Sequence, residues 1–251
     1  MANRAVPATS ESATRSDSAR AGRSQDALTR VRIIDAAITL IDAEGITALT
    51  MRRLGVALNV EAMSLYRYVN GREDLLEGVV DALVDTVEVP AVGALQPADG
   101  WQAFLQVLAH DVRRLAHDHP AAFPLIATRH PAAPWLRPPL RSLRIVEAFL
   151  DGLIARGFSE LQAVAAYRSF TSFLLGHLLL ESAVRGAELS PAEEPLNEGN
   201  ADVPNRDVEH NVEDYPTLSR RRAPLTENHA DTEFEEALEH LLERLDLDRS
   251  Q

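Results

Sequence analysis

Apolar residues recur at helical spacing along most of the chain. Val31, Ile34, Ala37, Ile38 and Ile41 predict a first helix from Asp26, with Gly45 as its stop. A second, short helix starts at Thr50, whose hydroxyl is placed to cap the amide of Arg53, and turns Leu54, Ala57 and Leu58 inward. Asn59 tolerates a left-handed backbone, so Leu58-Asn59-Val60 reads as a tight turn into a third helix, Glu61 to Val69, with Leu65 and Val69 inward. Asn70 and Glu73 resemble a capping box opening a fourth helix, which buries Leu75, Leu76, Val79, Val80 and Leu83.

Pro90, Gly93, Pro97 and Gly100 interrupt the pattern and predict a hinge. Beyond it, helices are expected over about Trp101 to His117, Pro120 to Thr128, Pro138 to Ala155 and Ser159 to Ala187. The stretch from Leu161 to Val184 is apolar almost all round, as expected of a helix buried on several sides in a core or a subunit interface. Residues 1–25 lack any apolar period and read as a disordered tail, and residues 186–230, with five prolines and many acids, read as a mobile loop. A final helix from about Asp231 carries Phe234, Leu238, Leu241, Leu242 and Leu245 in one stripe.

The 251 residues contain no Cys, which removes disulfides, thiolate metal sites and cysteine nucleophiles, and fits a reducing cytoplasm. The densest apolar run, Phe173 to Leu180, is broken by Gly176 and His177 and falls short of the roughly 20 residues of a membrane span, so no span is expected. Net charge is −13, yet it is unevenly spread. Between Thr50 and Arg72 four arginines oppose one glutamate, whereas from Gly186 to the end six arginines face eighteen acids. The basic island coincides with the two short helices.

A short helix, a tight turn and a second short helix are the parts of a helix-turn-helix, whose second helix enters the major groove. With Leu65 and Val69 inward, Ala62, Met63, Ser64, Arg67 and Tyr68 face outward. Arg67 has the donors for guanine O6 and N7, and Ala62, Met63 and Ser64 suit thymine methyls and base edges. Thr50, Arg52, Tyr66, Tyr68 and Arg72 are placed to hold phosphates, and Arg53 completes the DNA-binding set. Spacing alone equally allows an ordinary helical hairpin with a solvated face.

The segments LTMRRLGVALNV and SLYRYVNGREDLL make residues 27 to 88 resemble the DNA-binding domain of the tetracycline-repressor (TetR) family. FPLIATRHP and FTSFLLGHLLLESA resemble, less strongly, the regulatory domain of its tetracycline-repressor subgroup. The resemblance implies an all-α protein with a helix-turn-helix domain over 26–88 and a larger helical ligand-binding and dimerisation domain over 89–251. It further implies a cytoplasmic homodimeric repressor that binds a palindromic DNA operator and is released by a small-molecule inducer, without a cofactor. Two long helices, around Leu161 to Val184 and Phe234 to Leu245, would form a four-helix dimer interface. Where the tetracycline repressors carry a metal-binding His this chain has Leu125, so a magnesium–tetracycline inducer is not expected.

Phe104, Leu108, Trp135, Phe149, Phe170 and Phe173 are first of all core candidates, and a subset is expected to line a ligand pocket between helices. His177, Thr128 and Arg129 are candidate polar contacts. His110, His117 and His119 are badly spaced for a metal on one helix face. An activator or a regulator without a ligand is the alternative within this class. An enzyme with an incidental helix-turn-helix is the competing class, and the sequence offers it no Gly-rich phosphate loop, HExxH or GxSxG.

Overall fold

The computed structural model describes residues 27–90, 100–128, 135–138, 142–187 and 214–250. The expected tail, Arg129, most of the expected hinge and much of the acidic loop lie outside these residues. All regular structure among the described residues is helical.

Helix α1 (Arg30–Glu44) is capped by the Thr29 side chain, which accepts from the Arg32 amide, and Gly45 closes it. A 3₁₀ turn (Ile46–Ala48) leads to α2 (Met51–Leu58), where Thr50 caps Arg53 and Asn59 adopts the left-handed conformation, φ 55°, ψ 44°. Helix α3 (Ala62–Leu65) is shorter than its apolar spacing predicts. The chain continues through Tyr68 in i→i−3 turns, with the Arg67 amide on Ser64 O and the Tyr68 amide on Leu65 O. Helix α4 (Arg72–Asp85) buries Leu75, Leu76, Val79, Val80 and Leu83 as expected. Its N-terminal partner is not Glu73: the Asn70 amide donates 2.7 Å to Asp74 Oδ2, one residue further on.

The second part comprises α5 (Gly100–Asp118), α6 (Phe123–Thr128), α7 (Leu143–Ile154), α8 (Glu160–Val184) and α11 (Ala230–Arg249). Two single-turn helices, α9 (Pro216–Arg220) and α10 (Arg222–Thr226), occupy part of the stretch read as loop, and their residues are exposed. Short local turns suffice there, aided by Pro216 at the first helical position, without any apolar face to bury.

Helix α8 is the hub: α5, α6, α7 and α11 all pack on it. By length and hydropathy it is also long and apolar enough to cross a membrane, which the run from Phe173 to Leu180 alone is not. Its inward face carries Ala163, Ala166, Phe170, Leu174 and Leu178, all buried. It also carries a charge. Glu181 accepts from Arg113 of α5 at 2.8 and 3.2 Å, and Arg113 donates to Asp231 of α11 at 2.7 Å and lies 4.5 Å above the Phe234 ring. Burial pushes the Glu181 carboxyl up, but the hydrogen bonds from Arg113 and His117 outweigh it and hold the group below the ordinary carboxylate value. The pair thus sits charged and satisfied in the interior, joining three helices.

Polar ties join the halves, among them a pair between Arg144 of α7 and Asp85 at the end of α4 at 3.6 Å. His119 Nδ1 lies 2.8 Å from Asp42 Oδ2 at the end of α1, and Asp111 of α5 accepts the Glu88 amide at 2.8 Å just beyond α4. Helix α4 also packs directly on α6.

The contact between α5 and α7 has no spare room. A Cβ on Gly152 would lie 2.4 Å from the Phe104 ring, and Phe104 is fully buried with the Arg156 guanidinium 4.7 Å above its face. Gly152→Ala is therefore expected to destabilise by about 1–3 kcal/mol through overpacking. Urea unfolding should show a lower midpoint at unchanged slope.

Candidate functional site

The α2–turn–α3 unit is built around a close backbone approach. A Cβ on Gly55 would meet Val60 O at 2.9 Å and the Ala62 amide nitrogen at 3.2 Å, so glycine lets the two helices meet at this angle. Leu54, Leu58, Leu65 and Val69 close the unit onto α1 and α4 from inside.

The residues expected to touch DNA divide by what already occupies them. Met63 is 75% exposed, and Arg52, Tyr66, Arg67 and Tyr68 are exposed with it. Ala62 and Ser64 are half-buried, and the Ser64 hydroxyl donates 2.6 Å to Glu61 O. The Thr50 hydroxyl accepts the Arg53 amide at 3.2 Å, and the Arg53 guanidinium pairs with Glu44. Arg72 donates to Leu49 O and Ile46 O, both at 3.2 Å, bracing the 3₁₀ turn against α4. Thr50, Arg53 and Arg72 thus hold the unit's shape, and the outward set is Arg52, Met63, Tyr66, Arg67 and Tyr68.

What orients that set is a clamp that no local pattern signals. Arg30 of α1 donates to Asp74 Oδ1 at 2.7 Å, to Asp74 Oδ2 at 3.1 Å and to the Tyr68 carbonyl at 3.0 Å. Asp74 also accepts the Asn70 amide and side chain. One guanidinium thus joins α1, the end of the reading segment and α4. The Arg30 hydrogen bond, followed by that of the Asn70 amide, holds the Asp74 carboxyl below its ordinary value.

A second feature lies at the other end of α4. Val84 and Val87 form one wall of a cavity of about 70 Å³ enclosed with α5, α6, α7 and α8. Of the expected ligand contacts, Leu108, Phe149 and Phe170 line it. Phe149 stands 5.5 Å from Phe170 and 5.7 Å, edge-on, from Tyr167. Burial pushes the Tyr167 hydroxyl up to about 12, so it is un-ionised at neutral pH. The polar lining consists of Ser142, the N-cap of α7, with Tyr167 and Thr171, which the apolar run of α8 conceals in the sequence.

The other candidates lie elsewhere. Phe104 is core beneath Gly152. Phe173 and His177 face Phe234 of α11 at 6.1 and 5.3 Å, and His177 borders an open cleft of about 810 Å³ beside α10 and α11. Thr128 is exposed and donates to Pro124 O. Trp135 is exposed in an outer cleft. His110, His117 and His119 take three different partners, Glu235, Glu181 and Asp42. Among the described residues no cluster of three His, Asp or Glu is arranged to hold a metal ion.

A helix-turn-helix joined by one shared helix to an all-helical body with an interior cavity defines a class of two-part regulators. The chain belongs to the TetR family: residues 33–79 match the bacterial regulatory proteins of the tetR family, and residues 94–246 match the tetracyclin repressor-like C-terminal domain. A Saccharopolyspora erythraea HTH-type transcriptional regulator is 30% identical over 163 residues, 65% of each chain. The HTH-type transcriptional repressor DrrR1 of Streptomyces coeruleorubidus is 31% identical over 171 residues, 66% of this chain and 60% of that protein. The chain therefore spans less than two thirds of either relative. The Streptomyces coelicolor TetR family protein ActR, solved in complex with actinorhodin, aligns with a TM-score of 0.62 at 26% identity, covering 87% of this chain and 95% of that one.

The clamp has a pH signature. Because the folded-state pKa of Asp74 is depressed, its contribution is present above the ordinary aspartate value of 3.8 and is lost as pH falls through the lower folded value. Asp74→Asn should therefore melt at a lower temperature than the wild type at pH 7, and the gap should narrow toward pH 3. A gap independent of pH would remove the charge from the account.

Proposed function

We propose that this chain is a cytoplasmic, homodimeric repressor of transcription that reads a palindromic operator and releases it when a small organic effector enters the cavity between α4, α5, α7 and α8. One observation carries the reading: Arg52, Met63, Tyr66, Arg67 and Tyr68 stand exposed on a clamped helix-turn-helix while Thr50, Arg53, Ser64 and Arg72 are engaged by neighbouring groups of the fold. Arg67 reads guanine through its paired donors and Met63 packs on a thymine methyl. Arg52 and the tyrosine hydroxyls hold phosphates.

The dimer reading is supported by the outward face of α8, where Leu161, Val164, Leu180 and Val184 are exposed and Ala165, Ser169, Ser172 and Gly176 leave the middle open for close approach. A second copy would bury that face and set two reading units one helical turn apart, about 34–36 Å. The effector reading is supported by the position of the cavity at the C-terminal end of α4, whose N-terminal end is clamped to the reading segment. ActR, with actinorhodin bound, is a relative of the same architecture.

Genomic SELEX with the purified chain at fixed salt, followed by gel shift, tests the reading, since phosphate contacts make affinity steeply salt-dependent. An enriched two-half-site palindrome is expected, and no enrichment at low or moderate salt would overturn it. Arg67→Ala should lose about 1–3 kcal/mol of discrimination at one position of each half-site. Arg52→Ala should weaken all sites alike and flatten the salt dependence.

A further inference from the structure

The lining of the interior cavity has one dominant character. Nine of its fourteen lining residues are Val, Leu or Ile, and none of the fourteen is charged. The charged neighbours of Val112 on α5 are engaged elsewhere: Asp111 accepts the Glu88 amide and pairs with Arg114, and Arg113 pairs with Glu181 and Asp231. Among the described residues, an ionised group brought into the cavity would meet no counter-charge on its walls. It would lose its hydration with nothing in exchange.

Three hydroxyls interrupt this lining, and they differ in what already holds them. Tyr167 donates its proton to Pro138 O at 2.8 Å. The Ser142 oxygen accepts the Ile145 amide at 3.4 Å, as the cap of α7. Thr171 is only 5% exposed, and among the described residues its hydroxyl has no hydrogen-bond partner. A threonine within a helix usually turns its hydroxyl back to the carbonyl four residues earlier, as Thr39 does on Asp35 O and Thr128 on Pro124 O. Thr171 instead lines the cavity with its donor and acceptor both open. A buried hydroxyl left unpaired is costly, and whatever fills the space beside it can relieve that cost.

We propose that the cavity takes a small, uncharged, mainly aliphatic compound carrying one oxygen, and that the Thr171 hydroxyl binds that oxygen. The aliphatic walls supply the affinity, and the single open hydroxyl fixes the orientation. At about 70 Å³ the cavity holds a small compound as it stands, and a larger one only if its walls give. A carboxylate or an ammonium on the same hydrocarbon is rejected, because neither finds an opposite charge inside. The inference rests on the cavity being the effector site and adds the chemistry of the ligand.

The test is isothermal titration calorimetry of the full chain near pH 7 with 1-hexanol, hexanoate and hexylammonium, which share one chain and differ in charge. The alcohol should bind, and either ion should bind about a hundredfold more weakly. From 1-butanol to 1-hexanol the affinity should rise by up to about fourfold per methylene. Thr171→Val keeps the shape and removes the hydroxyl. It should weaken 1-hexanol about threefold to tenfold and leave 1-chlorohexane within about twofold. Val112→Phe narrows the cavity and should weaken every probe, with thermal melting and light scattering confirming that each variant is folded and of wild-type size. Equal affinity for the alcohol and either ion would overturn the uncharged assignment, as would the absence of binding by all three at millimolar concentration. Equal effects of Thr171→Val on 1-hexanol and 1-chlorohexane would overturn the role of Thr171. Operator binding is measured separately by gel shift. If 1-hexanol binds in the expected pattern and leaves operator affinity unchanged, the effector reading fails and the chemistry of the cavity stands. If the pattern fails while the operator is bound, the ligand class alone is refuted.

Discussion

A four-residue helix cannot hold its own shape, because forming one turn fixes several dihedrals for about one hydrogen bond. Helix α3 is such a helix, and the face that carries Met63 and Arg67 is only as well defined as the parts that grip it. Arg30 supplies the grip. Its guanidinium reaches the Tyr68 carbonyl at one side and both oxygens of Asp74 at the other, while Asp74 takes the Asn70 amide that would otherwise be orphaned ahead of α4. Arg72 does the same for the turn before α2, through Leu49 O and Ile46 O. Arg72, one of the four arginines of the basic stretch from Thr50 to Arg72, is thus spent as an internal brace, as is Arg30 of α1, and the positive charge left to face a phosphate backbone is smaller than the composition of that stretch suggests.

Helix α4 extends that dependence into the rest of the molecule. Its first turn is tied to the reading segment by Asp74, its last turn forms a wall of the interior cavity through Val84, and the Glu88 amide just beyond is bonded to Asp111 of α5. The body it touches is stiff for a different reason. The Arg113–Glu181–Asp231 group locks α5, α8 and α11 together, and removing one member of a buried pair typically costs about 3–5 kcal/mol.

Much of this order is legible in the sequence and part of it is not. The Thr50 cap, the left-handed Asn59 and the buried stripe of α4 follow from local rules about capping, backbone sterics and helical period. The clamp does not, since Arg30 and Asp74 are 44 residues apart and neither breaks a local pattern. Helix α3 stops at Leu65 although its apolar spacing runs on to Val69, because the Arg67 and Tyr68 amides turn back to Ser64 O and Leu65 O in i→i−3 bonds; Arg30 then takes the Tyr68 carbonyl that this turn leaves unpaired. In the larger half, apolar periodicity marks Phe104, Phe149, Phe170 and Phe173 alike as interior. It does not say which interior space each one borders. That is decided by which helices lie opposite, so Phe149 and Phe170 meet at the cavity, Phe104 is sealed under Gly152, and Phe173 turns to Phe234.

The energetics of the cavity bear on how such a device could switch. Moving a two-state equilibrium from 99:1 to 1:99 requires a ligand to favour one state by about 5.5 kcal/mol. At about 25 cal/mol per Å² of apolar surface removed from water, that corresponds to roughly 220 Å² buried in one state and not in the other. A chamber of about 70 Å³ is too small for a compound of that area unless the helices around it move apart. Differential affinity then comes from whether the apolar volume exists at all, rather than from small differences in contact quality. Val84 and Val87 form part of the wall, so a ligand that enlarges the chamber by moving α4 would act on the helix whose first turn Asp74 ties to the helix-turn-helix.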